Sequence, residues 1–501
     1  MRRVTARTLM AGLLTALLVP AALGAQAGNA IPARPEQLSY GPLHFEVPTA
    51  DQYRHTLSSG LVVYVAEDHS LPLVDVSVQV RAGGFLDPAD RLGLALITGQ
   101  MLRRGGTASH DAQAFDERLD FLAVNISSRG GDTGSGADLN CITPVLDEGL
   151  QLFFEMLKTP AFQQDRLELE RSNLLESMKQ RNDDAQDVLS REWGWLLYGE
   201  GYYGTRQMTQ ANLEAIQQAD LVAFHQRYWH PRNMIVAVSG DVDTQDILNR
   251  LEKQFADWPF PGTDAAWPPP QPEFHPAPGL YQAEKDIPQG KVYIGHLVPQ
   301  VTDWNNPDLP ALVVLNDILG GGYTSRITHR VRSDEGLAYG AGSTYRLNPL
   351  EPGFFRIAFQ SKNATVALAA QLSLEEVRRI QKDPVTEDEL RVAKSSLIDS
   401  FPQSFSSPER TLSNFVNDEI IGRDSAYWQT WRQRLKAVTA ADVLRVARAY
   451  LKPDEMVILV VGKWDEIAPG DAEKRANMDE FYGGKRDQLP LRDPLTLAPQ
   501  P

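Results

Sequence analysis

The stretch of sequence that decides the fold is GLALITGQMLRRGGT, residues 93–107. Its apolar residues recur with the spacing of one helix face: Leu94, Ile97, Met101 and Leu102. The glycine pair Gly105-Gly106 is typical of a helix C-terminus, so the pattern predicts an amphipathic helix that ends before it. The other face of this helix carries Leu96, Gly99 and Gln100, which offer neither an acid nor an imidazole.

An internal repeat organises the rest of the chain. Residues 228–241 (YWHPRNMIVAVSGD) correspond to residues 450–463 (YLKPDEMVILVVGK), with Tyr, Pro, Met and Gly recurring at an offset of 222 residues (450 − 228). Two weaker matches occur in the same order, between the segments that end at Pro160 and Pro384 and between the opening stretch and residues 312–322. Three ordered matches predict two copies of one domain fold.

Each copy has the same sequence of elements: alternating strands, an amphipathic helix, more strands, two long helices and a last strand. This order predicts an α+β protein with two homologous α/β sandwich domains, each a mainly antiparallel sheet with one face covered by helices. We place the domains at residues 45–265 and 281–466. Residues 266–280 are rich in proline and predict an extended linker that serves as a hinge, and residues 467–501 predict a loosely held tail.

The N-terminus and the charge indicate where the protein acts. Residues 1–27 read as a signal peptide, with a positive start at Arg2 and Arg3, an apolar run and an A-x-A site at Ala25-Gln26-Ala27. We therefore expect a periplasmic or otherwise secreted protein without membrane insertion. The formal net charge of −16 argues against nucleic acid as a partner. The single cysteine, Cys141, excludes an intramolecular disulfide.

The residues around the opening stretch carry a resemblance to a known family. Residues 81–87 (RAGGFLD), Gly93-Leu94-Ala95, Met101-Leu102 and Gly106-Thr107 look like the frame of the catalytic helix in the pitrilysin/insulinase family of zinc peptidases and their inactive relatives, which include the mitochondrial processing peptidase subunits. The similarity covers roughly residues 45–464. In active members this helix carries His-x-x-Glu-His, in which two histidines bind zinc and the Glu activates a water molecule.

The resemblance implies that the zinc site is degenerate here. Leu96 and Gln100 stand at the positions of the two ligand histidines, and Gly99 stands at the position of the base. The family's third ligand, a Glu about 75 residues further on, falls at Ser177, whereas its supporting Glu is kept as Glu170. Glu176 lies one residue from the ligand position, about 100° away around a helix. We therefore expect no catalytic residue in this motif and no cofactor bound by this chain.

Other catalytic chemistry has no clear candidate in the sequence. The nine histidines include no pair four residues apart, and His225 and His230 are five apart. A metal site built from scattered residues stays open. No Gly-x-Ser-x-Gly elbow is present, and Cys141 lies in a strand-like run where a small buried side chain is expected.

The second half carries a polar pair, Arg332 and Tyr339, after the glycine run at Gly320. The resemblance implies a substrate-binding role, because in the family an Arg and a Tyr at this spacing reach substrate near the zinc. A guanidinium and a phenol can both donate hydrogen bonds to a peptide carbonyl. The simpler interpretations are a helix stop, an ion pair of Arg332 with Asp334 or Glu335, and a packed Tyr339.

These observations leave three functional hypotheses. The first is a catalytically silent subunit of a heteromeric, exported zinc peptidase, in which this chain supplies Arg332 and Tyr339 to a homologous partner that binds zinc and hydrolyses peptides or unfolded protein. The second is a pure binding or scaffold protein on the same fold. The third is a self-sufficient enzyme with an unrecognised metal site.

Overall fold

The computed structural model describes Arg34, residues 45–258 and residues 264–500. The predicted signal peptide, residues 1–27, lies outside the described residues. Two six-stranded sheets form the framework of residues 46–258 and 264–500. In the first sheet the order is β1-β2-β6-β3-β5-β4. Its strands are β1 (Arg54–Thr56), β2 (Val62–Glu67), β3 (Leu73–Val80), β4 (Asn125–Gly130), β5 (Ser135–Ile142) and β6 (Met234–Gly240).

The second sheet repeats this arrangement, with the order β12-β7-β11-β8-β10-β9. Its strands are β7 (Gly279–Glu284), β8 (Gln289–Val298), β9 (Ala338–Arg346), β10 (Gly353–Lys362), β11 (Val457–Gly462) and β12 (Arg486–Leu489). Pairing is antiparallel except between β2 and β6, β7 and β11, and β7 and β12. The predicted fold of two similar, mainly antiparallel α+β domains is confirmed.

Helices connect the strands in both halves. The first half contains α1 (Leu94–Arg104), α2 (Ala112–Leu122), α3 (Leu146–Lys158), α4 (Gln164–Lys179), α5 (Ala185–Tyr198), α6 (Gln210–Ala215), α7 (Gln218–Tyr228) and α8 (Thr244–Ala256). The second contains α9 (Asp308–Asn316), α10 (Arg326–Thr328), α11 (Val366–Lys382), α12 (Glu387–Ser400), α13 (Pro408–Ile421), α14 (Tyr427–Ala437), α15 (Ala440–Tyr450) and α16 (Trp464–Ile467). Two π-helical turns, Asp317–Gly321 and His329–Asp334, come after α9 and α10.

The two halves exchange helices. Helix α5 of the first half packs on β8 and β11 of the second sheet, and α13 of the second half packs on β2 and β6 of the first. The central strands are therefore covered on both faces, which is why β11 is buried along its whole length and reads as an unbroken apolar run. The sequence pattern predicts helices on one face of each sheet. The helix on the second face comes from the other half of the chain.

A polar cluster fixes the helix α13 to the first sheet. Arg54 donates to both carboxylate oxygens of Glu419, at 3.1 and 3.2 Å, and the Tyr64 hydroxyl donates to Glu419 Oε2 at 2.9 Å. The hydrogen bond from Arg54, with that from Tyr64, lowers the pKa of Glu419 against the effect of burial. Burial, with the nearby Glu419 carboxylate, raises the pKa of Tyr64. The carboxylate therefore stays charged and joins the two halves.

The C-terminal tail is not loosely held, which corrects the expectation for residues 467–501. Its strand β12 pairs in parallel with β7 and forms the edge of the second sheet, and Met478 is fully buried. Further along, the Pro494 carbonyl accepts from Arg181 and the Arg492 carbonyl accepts from Asn182. Polar composition did not show this, because backbone pairing at a free sheet edge needs no apolar side chain.

Candidate functional site

The helix α1 begins at a buried acidic cap. The Asp87 carboxylate accepts hydrogen bonds from the backbone N–H groups of Gly93 at 2.8 Å and Ala95 at 2.9 Å. Burial raises the pKa of Asp87 to about 6, although these two hydrogen bonds and Arg206 act in the opposite direction. The helix ends at Arg104, and Gly106 takes the left-handed conformation with φ +70°. The predicted helix and its glycine stop are both present.

Gly99, at the position of the family's base, lies against the backbone of β4. A Cβ atom built on Gly99 would stand 2.2 Å from Gly130 N, and one built on Gly130 would stand 2.2 Å from Ala95 O. The Ser128 hydroxyl stabilises the same contact, because it donates to Gly99 O at 2.6 Å and accepts from Arg103 N at 3.0 Å. The helix and the strand therefore touch backbone to backbone, and position 99 has no space for a side chain.

The C-terminal end of α1 is held by an ion pair with α4. Arg104 pairs with Glu170, whose side chain is only 5% exposed. Glu170 is the supporting Glu that the sequence register retained, so its place in this structure is that of a packing partner for α1. Glu176 is exposed and pairs with Lys179 at 2.6 Å.

The three ligand positions do not offer a zinc-binding donor set. Leu96 presents a hydrocarbon, Gln100 an amide and Ser177 a hydroxyl, whereas zinc in proteins takes imidazole, thiolate or carboxylate. The Gln100 Oε1 atom is buried without a hydrogen-bond partner among the described residues. Across residues 45–258 and 264–500 no group of three or more His, Cys, Asp or Glu side chains is arranged to hold a metal ion. These residues do not fit the metal.

Leu96 and Ser177 line two adjoining cavities. One, of about 200 Å³, contains Leu96 and Arg206. The other, of about 450 Å³, contains Ser177 at the end of α4. Arg181 and Gln207 line both cavities, so α1 and α4 still face one cleft. Gly99 lines neither, because it is covered by β4.

The histidines and the cysteine singled out in the sequence are packing residues where the structure places them. His225 is buried with a ring nitrogen 2.8 Å from Leu157 O, and burial lowers its pKa to about 4. His230 is fully buried and bonds Asn233. Cys141 is buried in β5, where desolvation raises the pKa of its thiol to about 11.

Arg332 and Tyr339 lie on one surface segment of the second half. Tyr339 is 97% exposed and Tyr323 is 79% exposed. The Arg332 guanidinium lies over the Tyr323 ring, 5.1 Å from its centroid, and donates to the Tyr323 hydroxyl at 3.3 Å. Among the described residues no hydrogen bond joins Arg332 to Tyr339. Tyr323 was missed in the sequence; its position directly after the glycine run was the available signal.

Buried neighbours position this exposed segment. Val331 is fully buried, and its carbonyl accepts from Leu337 N at 2.9 Å. Gly336, with φ +62°, then turns the chain from the π-helical turn into β9. Arg326 anchors the start of the segment with two hydrogen bonds to Glu389 on α12, at 2.6 and 3.0 Å. Arg332 and Tyr339 thus project from a rigid base.

The ion pair considered for Arg332 does not form among the described residues. Asp334 pairs with His329 at 3.2 Å, and Glu335 pairs with Arg475 at 2.8 Å and Arg330 at 3.5 Å. The alternative of a packed Tyr339 is also wrong, since this ring is almost fully exposed. A guanidinium with free donor capacity therefore lies beside the accessible Tyr323 phenol, and the exposed Tyr339 follows seven residues later in the chain.

Comparison with known proteins shows what the chain is similar to. The family described as peptidase M16 inactive domain matches residues 215–397. A relative named non-peptidase homolog YmxG, from Helicobacter pylori, is 23% identical over 404 residues, 80% of this chain and 91% of that protein.

Two solved structures share the fold. One is a peptidase M16 inactive domain from Pseudomonas fluorescens, with TM-score 0.72 and 24% identity, covering 82% of this chain and 97% of that one. The other, the periplasmic protease PqqL from Escherichia coli, gives TM-score 0.67 and 16% identity over 85% of this chain and 49% of that one. Among the described residues no helix has both the length and the apolar content that crossing a bilayer requires. The chain is therefore similar to the peptidase M16, pitrilysin-like proteins, and its residues 96–100 do not carry the zinc motif His-x-x-Glu-His.

Proposed function

We propose that this chain is an exported, catalytically silent subunit of a heteromeric M16-type peptidase. A homologous partner chain bears the zinc, and this chain supplies Arg332 and Tyr339 to the peptide bound there. The observation that supports the proposal is that Tyr323 and Tyr339 are exposed and that Arg332 lies against Tyr323 without an ion-pair partner among the described residues. The lack of zinc-binding side chains at the ligand positions of α1 and α4 agrees with a catalytically silent role.

The chemistry of this surface suits a peptide substrate. The Arg332 guanidinium offers charge-assisted donors to a peptide carbonyl, and the Tyr339 hydroxyl can turn to donate or accept. Tyr323 holds the guanidinium by ring stacking and leaves its other N–H groups available. Groups arranged before substrate arrives stabilise developing negative charge with little reorganisation.

Export is part of the proposal and rests on two observations. Residues 1–27 have the charge and apolar pattern of a signal peptide. One structural neighbour is named a periplasmic protease. Detection of the mature chain in a periplasmic fraction, beginning after residue 27, is the expected result; retention of those residues in the cytoplasm would contradict it.

The test of the complex is co-purification from the native host, followed by peptidase assays of each chain alone and of the two together. The expected partner is a homologue with His-x-x-Glu-His, active only or mainly in the pair. Arg332→Ala and Tyr339→Phe should each lower the rate of the pair by about 10²-fold, as loss of an oxyanion donor does. Assembly, followed by size-exclusion chromatography, should not change.

Arg391→Ala is the matched control, because Arg391 is an exposed arginine on α12 whose ion pair with Asp388 is local. It should leave the rate unchanged. Equal rates for the wild type, Arg332→Ala and Tyr339→Phe would remove the substrate-binding role. Purification without any zinc-bearing homologue would favour the scaffold hypothesis. Stoichiometric zinc and activity in the isolated chain would overturn the silent-subunit assignment.

A further inference from the structure

The cleft that stands where zinc would be bound contains an arginine, Arg181, without a counter-charge in the described part of the chain. Arg181 comes just after α4 and lines both cavities described above. Its Nη1 donates to the Pro494 carbonyl at 3.2 Å. Among the residues that the structure describes, no carboxylate lies within ion-pair distance of this guanidinium; Asp187 lines the larger cavity but forms no ion pair with it.

A second arginine, Arg191, adds positive charge near Arg181. Arg191 is 6% exposed; it pairs with Glu192 at 3.2 Å and donates to the Asn182 amide oxygen at 3.1 Å, while its Nη2 has no hydrogen-bond partner among the described residues. Burial, together with the charge of Arg191, lowers the pKa of Arg181 to about 10, so Arg181 stays protonated at neutral pH. A cation half removed from water beside another cation costs free energy that a bound anion would offset.

Besides Asp187 and Arg191, neutral donors line the larger cavity. The hydroxyls of Ser177 and Ser190 and the amides of Gln180 and Gln207 line it. Ser177, near the end of α4, contributes a neutral hydroxyl to this cavity. Hydroxyls, amides and a guanidinium are the donors from which proteins build sites for oxyanions.

We propose that this cleft is an oxyanion-binding site in which Arg181 receives the carboxylate of a ligand. The cavity of about 450 Å³ is much larger than an inorganic ion needs and is in the size range of sites for organic ligands. The terminal carboxylate of a peptide is therefore the favoured source of the oxyanion. The choice of a peptide as the ligand rests on the function proposed above, whereas the oxyanion site itself does not.

Calorimetry with the isolated full chain tests the site. The probes are a short alanine-rich peptide with a free C-terminal carboxylate, the same peptide with a C-terminal amide, and inorganic phosphate. The carboxylate peptide should bind the wild type about tenfold or more tightly than the amide. Arg181→Gln should remove this preference, and Arg181→Lys should retain part of it. Arg391→Gln, which changes the net charge equally at an exposed site, should behave as the wild type.

Each outcome decides the proposal. Phosphate binding that depends on Arg181, without discrimination between the peptides, supports the oxyanion site and identifies a free inorganic ion as its ligand. Equal binding of all three probes by the wild type and Arg181→Gln, or no binding by the wild type, overturns it. If Arg181→Gln does not fold, Gln207→Ala, which should weaken carboxylate binding, takes its place. The partner chain is absent, so failure here leaves the proposed peptidase role to its own test.

Discussion

The two halves contain the same contact between a helix and an edge strand. In the first half, a Cβ on Gly99 would stand 2.2 Å from Gly130 N of β4. In the second, a Cβ on Gly320 would stand 2.3 Å from Ser343 N of β9. In both, a glycine lets the backbone of the helical segment rest on the strand. The comparison shows that Gly99, which the sequence resemblance aligns with the base of active members, serves packing as Gly320 does.

Beyond this contact the two halves differ. The helix α1 continues regularly to Arg104, which the buried Glu170 holds. In the second half the chain changes to a π-helical turn at Asp317–Gly321 and then exposes Tyr323. Irregular helical turns often accompany functional sites, because they redirect side chains. One half has thus kept the fold of the site, and the other presents accessible polar groups.

The largest expected effect comes from restoring the zinc motif with Leu96→His, Gly99→Glu, Gln100→His and Ser177→Glu. The Glu side chain would enter the backbone of β4, so we expect a loss of at least about 3 kcal/mol in the free energy of unfolding and no peptidase activity. Circular dichroism, metal analysis and a peptidase assay measure this. The triple variant that keeps Gly99 should fold. A folded, zinc-loaded, active quadruple variant would contradict the closed site.

A smaller change, Gly→Ala, compares the two contacts directly. Gly99→Ala and Gly320→Ala should each lower the free energy of unfolding by about 2–3 kcal/mol, measured by urea denaturation. The effect should be larger at Gly99, because all its nearest atoms are backbone, whereas Gly320 also meets the Ser343 side chain. Gly149→Ala is the control, since a Cβ there meets nothing nearer than 3.6 Å. An equally large loss at Gly149 would refute the packing argument.

The smallest effect concerns pH and the caps of the two helices. Burial raises the pKa of Asp87 to about 6 from its ordinary value of 3.8, so the folded state holds this proton more tightly than the unfolded state. The resulting stability is fully present below pH about 4 and is lost as pH rises through about 6; the part lost between pH 4.5 and 7.5 is about 2 kcal/mol. Asp87→Asn should remove this dependence, measured as unfolding free energy at pH 4.5 and 7.5.

The second half provides the neutral counterpart. Asn306 accepts from Asp308 N at 2.9 Å at the start of α9. Asn306→Ala should cost about 1 kcal/mol equally at both pH values. A pH dependence in Asp87→Asn identical to that of the wild type would show that Asp87 is not the group responsible.

Much of the fold was accessible from local patterns. The apolar spacing of residues 94–102 and the glycine pair define α1, and repeated apolar runs define the paired strands, because these features depend on neighbours within a few residues. The absence of zinc ligands is visible in the same way, at Leu96, Gln100 and Ser177. The exposure of Tyr323 and the surroundings of Arg181 were not accessible, since both depend on distant segments.

The sequence by itself determined the two similar halves, the helix without ligands and the Arg332–Tyr339 pair. Only the tertiary structure decided that β4 closes position 99, that α5 and α13 cover each other's sheets, and that the polar tail adds the strand β12. The spacing of residues along the chain indicates which face of a helix or strand each one occupies. It does not indicate which backbone segment, charge or sheet edge from a distant part of the chain will pack against that face.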